Sequence, residues 1–250
     1  MELFVVGFGP GGIDGMTKEA EHVIRECDVV AGYTVYVELL KQHFPQKEYY
    51  STPMMKERER CEWAIRQALS GKRVAVVCSG DSGVYGMAGL LFELREKLKQ
   101  NNTEEIEQLE FHVVPGVTAA CSGAALLGAP LTHDFSVISL SDLMTPIDLI
   151  RDRIRHAAIS DMVICLYNPA SKKRQDYLRM ACDIILAYRS GQTVCGCVRN
   201  IGREGEHAIV LSLEELREYQ ADMFTTVFVG NSTTRNLSGK MVTPRGYCDV

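Results

Sequence analysis

The stretch Arg73-Val74-Ala75-Val76-Val77-Cys78-Ser79-Gly80-Asp81-Ser82-Gly83-Val84-Tyr85-Gly86 decides how the rest of the chain is read. Its first six residues form a short, mostly β-branched run, which predicts a buried strand. Beyond Gly86, the apolar residues Met87, Leu90, Leu91, Leu94 and Leu98 recur at helical spacing. A strand, a glycine-rich turn with one carboxylate and then a helix is how α/β proteins turn backbone groups toward a ligand. Glycine lets the main chain approach closely, and Asp81 can accept hydrogen bonds from a hydroxyl or an amine. A tight strand-to-helix connection that needs glycine for its dihedrals reads the same way. On this stretch alone both readings stand.

Upstream, Leu3 to Val6 is a first strand, followed by Gly7-Phe8-Gly9-Pro10-Gly11-Gly12-Ile13-Asp14. Gly7, Gly9 and Gly12 have the spacing of the dinucleotide-binding fingerprint. Pro10, however, removes a backbone N–H from the turn that would hold a pyrophosphate. The next helix starts late, at the N-cap Thr17 with Glu19 and Glu21 in its first turn. A second strand, Asp28 to Gly32, ends in glycine and tyrosine rather than in a ribose-binding acid. These features argue against a nicotinamide-dinucleotide oxidoreductase. The loop still lies where open α/β sheets bind ligands, at the carboxyl end of the first strand.

The spacing predicts helices from Val35 to His43 and from Arg58 to Leu69, with a connector through Pro45 and Pro53 between them. Lys99 to Glu110 reads as an exposed turn, and Phe111 to Val114 as a strand ended by Pro115-Gly116. Thr118 caps a helix of small residues, Ala119 to Leu127, against which another element or a ligand must pack closely. In the second half, strands are expected at 137–140, 162–166, 193–198, 207–211 and 225–230. Thr145-Pro146 opens one helix, Ser171 caps another that runs to about Tyr188, and Ser212 with Glu215 forms a capping box. The whole reads as two α/β domains in series, residues 1–117 and 118–250.

Composition sets bounds on function. A net charge of −5 over 250 residues argues against general nucleic-acid binding, which needs a basic face. The most apolar stretch, Ala119 to Leu131, is interrupted by Ser122, Gly123, Gly128 and Pro130, and falls short of the roughly 20 residues of a membrane helix. The opening Met1 to Val6 reads as a strand rather than a signal sequence, so a cytoplasmic protein is expected. Nine cysteines, an odd number without a dense framework, read as reduced thiols. Cys78, Cys165 and Cys195 fall in strand-like apolar runs. Cys195-Gly196-Cys197 is a close pair with no partner pair at zinc-ligand spacing, so no metal site is expected.

Five polar or glycine-rich loops follow expected strand ends, at 79–86, 115–119, 167–169, 199–202 and 230–232. Together they suggest one cleft between two domains. At Gly7-Phe8-Gly9-Pro10-Gly11, Ser79 to Met87, Pro115 to Ala119, Gly128-Ala129-Pro130-Leu131-Thr132-His133-Asp134-Phe135, Ile138 to Leu143, Leu166 to Lys173, Val198 to Arg203 and Thr225 to Ser232, the chain resembles the S-adenosylmethionine-dependent tetrapyrrole methylases. Within them it is similar to the branch that methylates C17 of the corrin precursor. The departure is Gly12-Ile13-Asp14, where many members carry an acid directly after the proline-glycine.

The resemblance implies two α/β domains with S-adenosylmethionine in the cleft, S-adenosylhomocysteine as product and a homodimer. It further implies methylation of C17 of a precorrin-3B-type tetrapyrrole with ring contraction, in cobalamin biosynthesis, on a metal-free or a cobalt-bearing substrate. Carried over by motif, the donor contacts are Pro10, Gly80, Asp81, Val84, Thr118, Ala119, Tyr167, Asn168, Asn200 and Thr225. Asn168 could instead only cap the turn before Pro169, and Tyr167 could serve packing alone. A polycarboxylate substrate calls for cationic anchors, for which Lys172, Lys173, Arg174, Arg199, Arg203 and Arg235 are the candidates. Methyl transfer from a sulfonium needs alignment more than a nucleophilic side chain. Ring contraction could use a proton donor or acceptor, for which His133 beside Asp134, and then Asp14, are the candidates. A superfamily methylase acting on ribosomal RNA or protein is the nearest alternative, and a non-catalytic binding module a more distant one.

Overall fold

A computed structural model describes residues 1–100, 103–171 and 174–247. The chain divides into two compact units, Met1–Thr118 and Ala119–Val250. Both are α/β.

The first unit runs β1 (Glu2–Gly7), α1 (Lys18–Glu26), β2 (Val29–Tyr33), α2 (Thr34–Lys41), β3 (Glu48–Thr52), α3 (Glu57–Leu69), β4 (Val74–Cys78), α4 (Ala88–Lys99), α5 (Thr103–Glu107) and β5 (Glu110–Val114). Its strands form a parallel sheet in the order β3-β2-β4-β1-β5. Strand alternation sorts the side chains. Leu3, Val5, Val74 and Val76 join Cys61, Ile65, Leu91 and Leu94 of α3 and α4 on one face. Phe4, Val6, Ala75 and Val77 join Ala20 and Ile24 of α1 and Leu40 of α2 on the other. Strands buried on both faces read as continuous apolar runs, which is why β1 and β4 were plain in the sequence. The chain leaves the adjacent strands β1 and β4 in opposite directions, α1 on one face and α4 on the other. Their carboxyl ends therefore form a topological switch point, the place where such sheets bind ligands.

Two expectations fail in this unit. The connector between Pro45 and Pro53 contains the edge strand β3, fixed by Tyr50 stacking on Trp63 with ring centroids 4.1 Å apart. The expected exposed turn from Lys99 to Glu110 contains α5, and Ile106 and Leu109 enter the core. Two isolated apolar residues in a polar segment carry no readable period. Asn101 and Asn102 lie outside the described residues.

The second unit runs α6 (Ala119–Leu127), β6 (Gly128–Ala129), β7 (Phe135–Ser139), α7 (Ile147–Ile159), β8 (Val163–Tyr167), α8 (Tyr177–Leu186), β9 (Val194–Arg199), β10 (His207–Ser212), α9 (Leu213–Glu218), β11 (Thr225–Val229), β12 (Arg235–Leu237) and β13 (Lys240–Val242). The main sheet has the order β10-β9-β11-β8-β7, with β7 and β8 parallel and the other neighbours antiparallel. One face packs on α7, α8 and α9, and the other on α6. The small residues of α6 are explained by this packing. A Cβ on Gly123 would lie 3.0 Å from the Phe228 ring, and one on Gly196 2.5 Å from Leu127. Another element of the fold, rather than a ligand, lies against that face.

Cys195 and Cys197 point together into the layer under α8, where burial pushes both thiols up. The capping box at Ser212 is present, its hydroxyl accepting from Glu215 N–H at 3.2 Å. Pro146 is itself the N-cap of α7, without a side-chain cap. The helix expected from Ser171 starts six residues later, at Tyr177, because Ser171 and Arg174 pair as an isolated bridge. The strands β6, β12 and β13, two or three residues each, form a further small sheet that no periodicity could announce. No described helix is long and apolar enough to cross a membrane.

Candidate active site

In the first unit three loops meet main chain on main chain at the carboxyl ends of β1, β4 and β5. A Cβ on Gly116 would fall 2.1 Å from Gly80 O and 2.5 Å from Gly7 O. A Cβ on Gly7 would fall 2.7 Å from the same Gly80 carbonyl. Glycine at these positions is thus a requirement of loop-on-loop packing. Gly9 and Gly80, both with positive φ, exchange hydrogen bonds of 3.0 and 2.9 Å. The Gly9 amide and carbonyl are consumed in this pairing. With Pro10 next in the chain, positions 9 and 10 of the β1 loop offer no amide to a pyrophosphate.

Asp81 ties this junction together. Its Oδ1 accepts from Gly83 N at 2.8 Å and Val84 N at 3.2 Å, and its Oδ2 accepts from Gly116 N at 3.0 Å. The side chain is an organiser of two loops as well as an acceptor. A carboxylate offers about four lone-pair positions, so Oδ2 retains room for one hydroxyl or ammonium donor. Buried Ser82 adds a second tie, its hydroxyl donating to Val114 O at 3.2 Å. Pro10 and Thr118 are half-buried on the neighbouring loops, and Val84 is exposed. Asp14 lies exposed in a 3-10 turn after β1. All of these stand at the carboxyl end of the first sheet.

In the second unit the candidates gather at the edge formed by the carboxyl ends of β7, β8 and β9 and the amino end of β11. The register pairs Thr225 with Arg199 and Ser139 with Tyr167. The Tyr167 hydroxyl accepts from Ala120 N at 2.6 Å, so this ring holds the first turn of α6, next to Ala119. Asn168, with φ of +53°, donates through Nδ2 to Ser139 Oγ at 2.9 Å. Asn200, with φ of +52°, reaches Glu204 O at 3.3 Å. Buried Thr225 gives its hydroxyl to Asp222 at 2.8 Å, which leaves main-chain groups as its contribution to any ligand. Ser139 and Asp222 were not singled out from the sequence. Each is short, polar and next to a strand end; the partner of Ser139, 29 residues away, is visible only in three dimensions, whereas that of Asp222 is local but follows no capping pattern.

The proposed cations separate. Arg174 donates to Ser141 Oγ at 3.1 Å and Asp142 Oδ1 at 3.2 Å, and Asp142 also accepts from the Tyr177 hydroxyl at 2.8 Å. The Tyr177 bond first, and then Arg174, hold the Asp142 carboxyl below the usual range. Arg199 pairs with Asp222 at 2.7 Å, and Arg203 sits over the Phe224 ring at 5.6 Å. Arg235 lies in β12, past the carboxyl end of β11, and is therefore at the other edge of the sheet. Lys172 and Lys173 fall outside the described residues.

His133 is also at that other edge. Asp134 O accepts from Val163 N, at the start of β8, so His133 precedes β7 where the candidate residues follow it. The five residues of β7 put about 17 Å between the two ends. His133 instead lines an open 580 Å³ hollow with Asp161, Asn231 and Arg245. The fold does not bring it to Tyr167, Asn168 and Thr225. A histidine beside an acid gave no indication of which strand end it would occupy.

Two α/β units, with glycine-built loops at the switch point of one and a polar strand edge in the other, define a class. The chain belongs to the tetrapyrrole (corrin/porphyrin) methylases, whose family model matches residues 2–217. It is 44% identical to the probable cobalt-factor III C(17)-methyltransferase of Salmonella typhimurium, over 98% of this chain and 99% of that one. It is 43% identical to the cobalt-factor III methyltransferase of Priestia megaterium over 98% of its length, but spans only 45% of that longer protein. The precorrin-3B C(17)-methyltransferase of a Sinorhizobium species is 36% identical, over 93% of this chain and 90% of that one. The crystal structure of the methyltransferase CobJ superposes with a TM-score of 0.87 at 34% identity, covering 97% of this chain and 99% of that one.

Proposed function

We propose that the protein methylates C17 of a precorrin-3B-type tetrapyrrole, with ring contraction, using S-adenosylmethionine in cobalamin biosynthesis. The observation that carries the reading is Asp81, held at the switch point by three backbone amides with acceptor capacity to spare. Main-chain groups and one carboxylate suit an uncharged diol and an amino-acid zwitterion. The cobalt-bearing substrate is favoured, because the relatives at 43% and 44% identity carry cobalt-factor III names and the precorrin-3B relative stands at 36%.

In this reading the donor contacts are Pro10, Gly80, Asp81, Val84 and Thr118 of the first unit, with Ala119, Tyr167, Asn168, Asn200 and Thr225 of the second. The bound donor supplies an already activated methyl group. The protein's part is alignment: Asp81 fixes the donor end, and the strand-edge loops present main-chain groups rather than a nucleophile. In this reading Asp14, exposed at the same end as Asp81, rather than His133, moves a proton in ring contraction. Arg174 and Arg203, with Lys172 and Lys173, are the proposed anchors for substrate carboxylates. A cytoplasmic homodimer completes the reading.

The test is incubation of the pure protein with S-adenosylmethionine and either the metal-free or the cobalt-bearing macrocycle, read by mass spectrometry. Gain of one methyl group on the cobalt form, with tight S-adenosylhomocysteine binding, is expected. Binding of NADH without S-adenosylhomocysteine, or methylation of neither macrocycle, refutes it.

A further inference from the structure

Strands β7 and β8 are parallel neighbours, so the chain segments that follow them leave the same edge side by side. They are stitched together at three levels. Leu140 N donates to Tyr167 O at 2.8 Å, and Asn168 Nδ2 donates to Ser139 Oγ at 2.9 Å. Further out, Asp142 accepts from Tyr177 at 2.8 Å and from Arg174 at 3.2 Å. The base of the loop at 141–145 is therefore fixed.

Its tip is not covered. Leu143 is 59% exposed and Met144 95% exposed, two large apolar side chains in succession. Single exposed apolar residues are ordinary, but an adjacent pair on an anchored loop at a ligand-binding strand edge calls for an occupant. The occupant's charge is indicated by Arg174. Its bonds to Ser141 and Asp142 both run through Nη1, and its side chain keeps 14% exposure, so part of the guanidinium still faces outward. A flat apolar body with carboxylates on its rim matches an apolar tip beside a partly exposed cation. Methionine, unbranched and polarizable, adapts well to such a surface.

We propose that the loop at 141–145 is a substrate-binding element: Leu143 and Met144 lie against the apolar face of the tetrapyrrole, and Arg174 meets one of its rim carboxylates. Asp142 is a positioning residue that holds Arg174 and the loop base in register. This inference rests on the tetrapyrrole reading above and adds where the substrate sits.

The experiment compares wild type with the double variant L143S/M144S and with Asp142→Asn and Asp142→Glu. Both tip residues are exposed, so the double variant should melt with wild type and bind S-adenosylhomocysteine with unchanged affinity. Its KM for the tetrapyrrole should rise tenfold or more with kcat little changed. Asp142→Asn should raise KM severalfold, and Asp142→Glu should recover part of the loss. An unchanged KM in the double variant overturns the proposal. So does a parallel loss of donor affinity, which marks the loop as structural, or a shift in sedimentation, which assigns the tip to contact with a second copy. Wild-type protein that binds S-adenosylhomocysteine but methylates neither macrocycle overturns the substrate reading itself, and the loop assignment with it.

Discussion

Replacing Asp81 with alanine removes the acceptor for three backbone amides at once. Gly83 N and Val84 N are exposed and can turn to water, so their loss costs about 0.5 kcal/mol each. Gly116 N is part-buried, 3.0 Å from the lost oxygen and crowded by two other glycine loops, and its orphaning costs about 1–2 kcal/mol. The sum, about 2–3 kcal/mol, corresponds to a fall in melting temperature of about 4–12 °C for a chain of this length. Donor affinity should fall more steeply, because the variant loses both the carboxylate and the loop geometry that presents it. A weakening of about tenfold or more is expected, which corresponds to at least about 1.4 kcal/mol.

Calorimetric titration with S-adenosylhomocysteine, beside thermal melts of the same preparation, separates the two effects. Asp81→Asn sharpens the comparison, since it keeps one oxygen for Gly83 and Val84 but can turn an amide toward the Gly116 N–H. A lowered melting temperature with wild-type donor affinity would refute the binding role and leave Asp81 as a loop tie. No change in either quantity would refute both roles.

Other expectations follow from the same geometry. Gly116→Ala should destabilise by about 2–3 kcal/mol in urea titration, because the atoms it meets are carbonyls of two other loops that cannot yield. Gly89→Ala, in α4 with open space around the new methyl, should instead stabilise by about 0.5–1 kcal/mol. Arg189→Met should cost about 3 kcal/mol or more by the same assay, since this guanidinium serves Gly230 O at 2.6 Å, Met162 O at 2.7 Å and Ala157 O at 3.0 Å. Of the eight described cysteines, Cys121 is exposed and should react first with a colorimetric thiol reagent at neutral pH. Cys27, Cys61 and Cys182, pushed up to about 12 by burial, should wait for unfolding. Rapid modification of several thiols in the folded protein would count against the packing described.

Local pattern was enough for some of this protein. Strands β1 and β4 are buried on both faces, so their apolar runs are continuous in one dimension. The caps at Thr17 and Ser212 use partners three residues away and are equally readable. The family was legible from motifs spread along the chain. Strand β3 and helix α5 were not legible, because each is defined by what covers it, Trp63 in one case and the core around Ile106 and Leu109 in the other.

The opening loop at 79–86 shows the division most clearly. Its residue types alone determine that a glycine turn with one carboxylate stands between a strand and a helix. Only the tertiary structure decides that Gly80 packs against Gly7 and Gly116 and that Asp81 reaches 35 residues along the chain to the Gly116 amide. The tertiary structure likewise places His133 at the far end of β7 and pairs Arg174 with Asp142. The physical reason is range. Propensity, capping and alternation act over a few residues, whereas side-chain partners and strand edges are set by sheet order, which brings distant segments together.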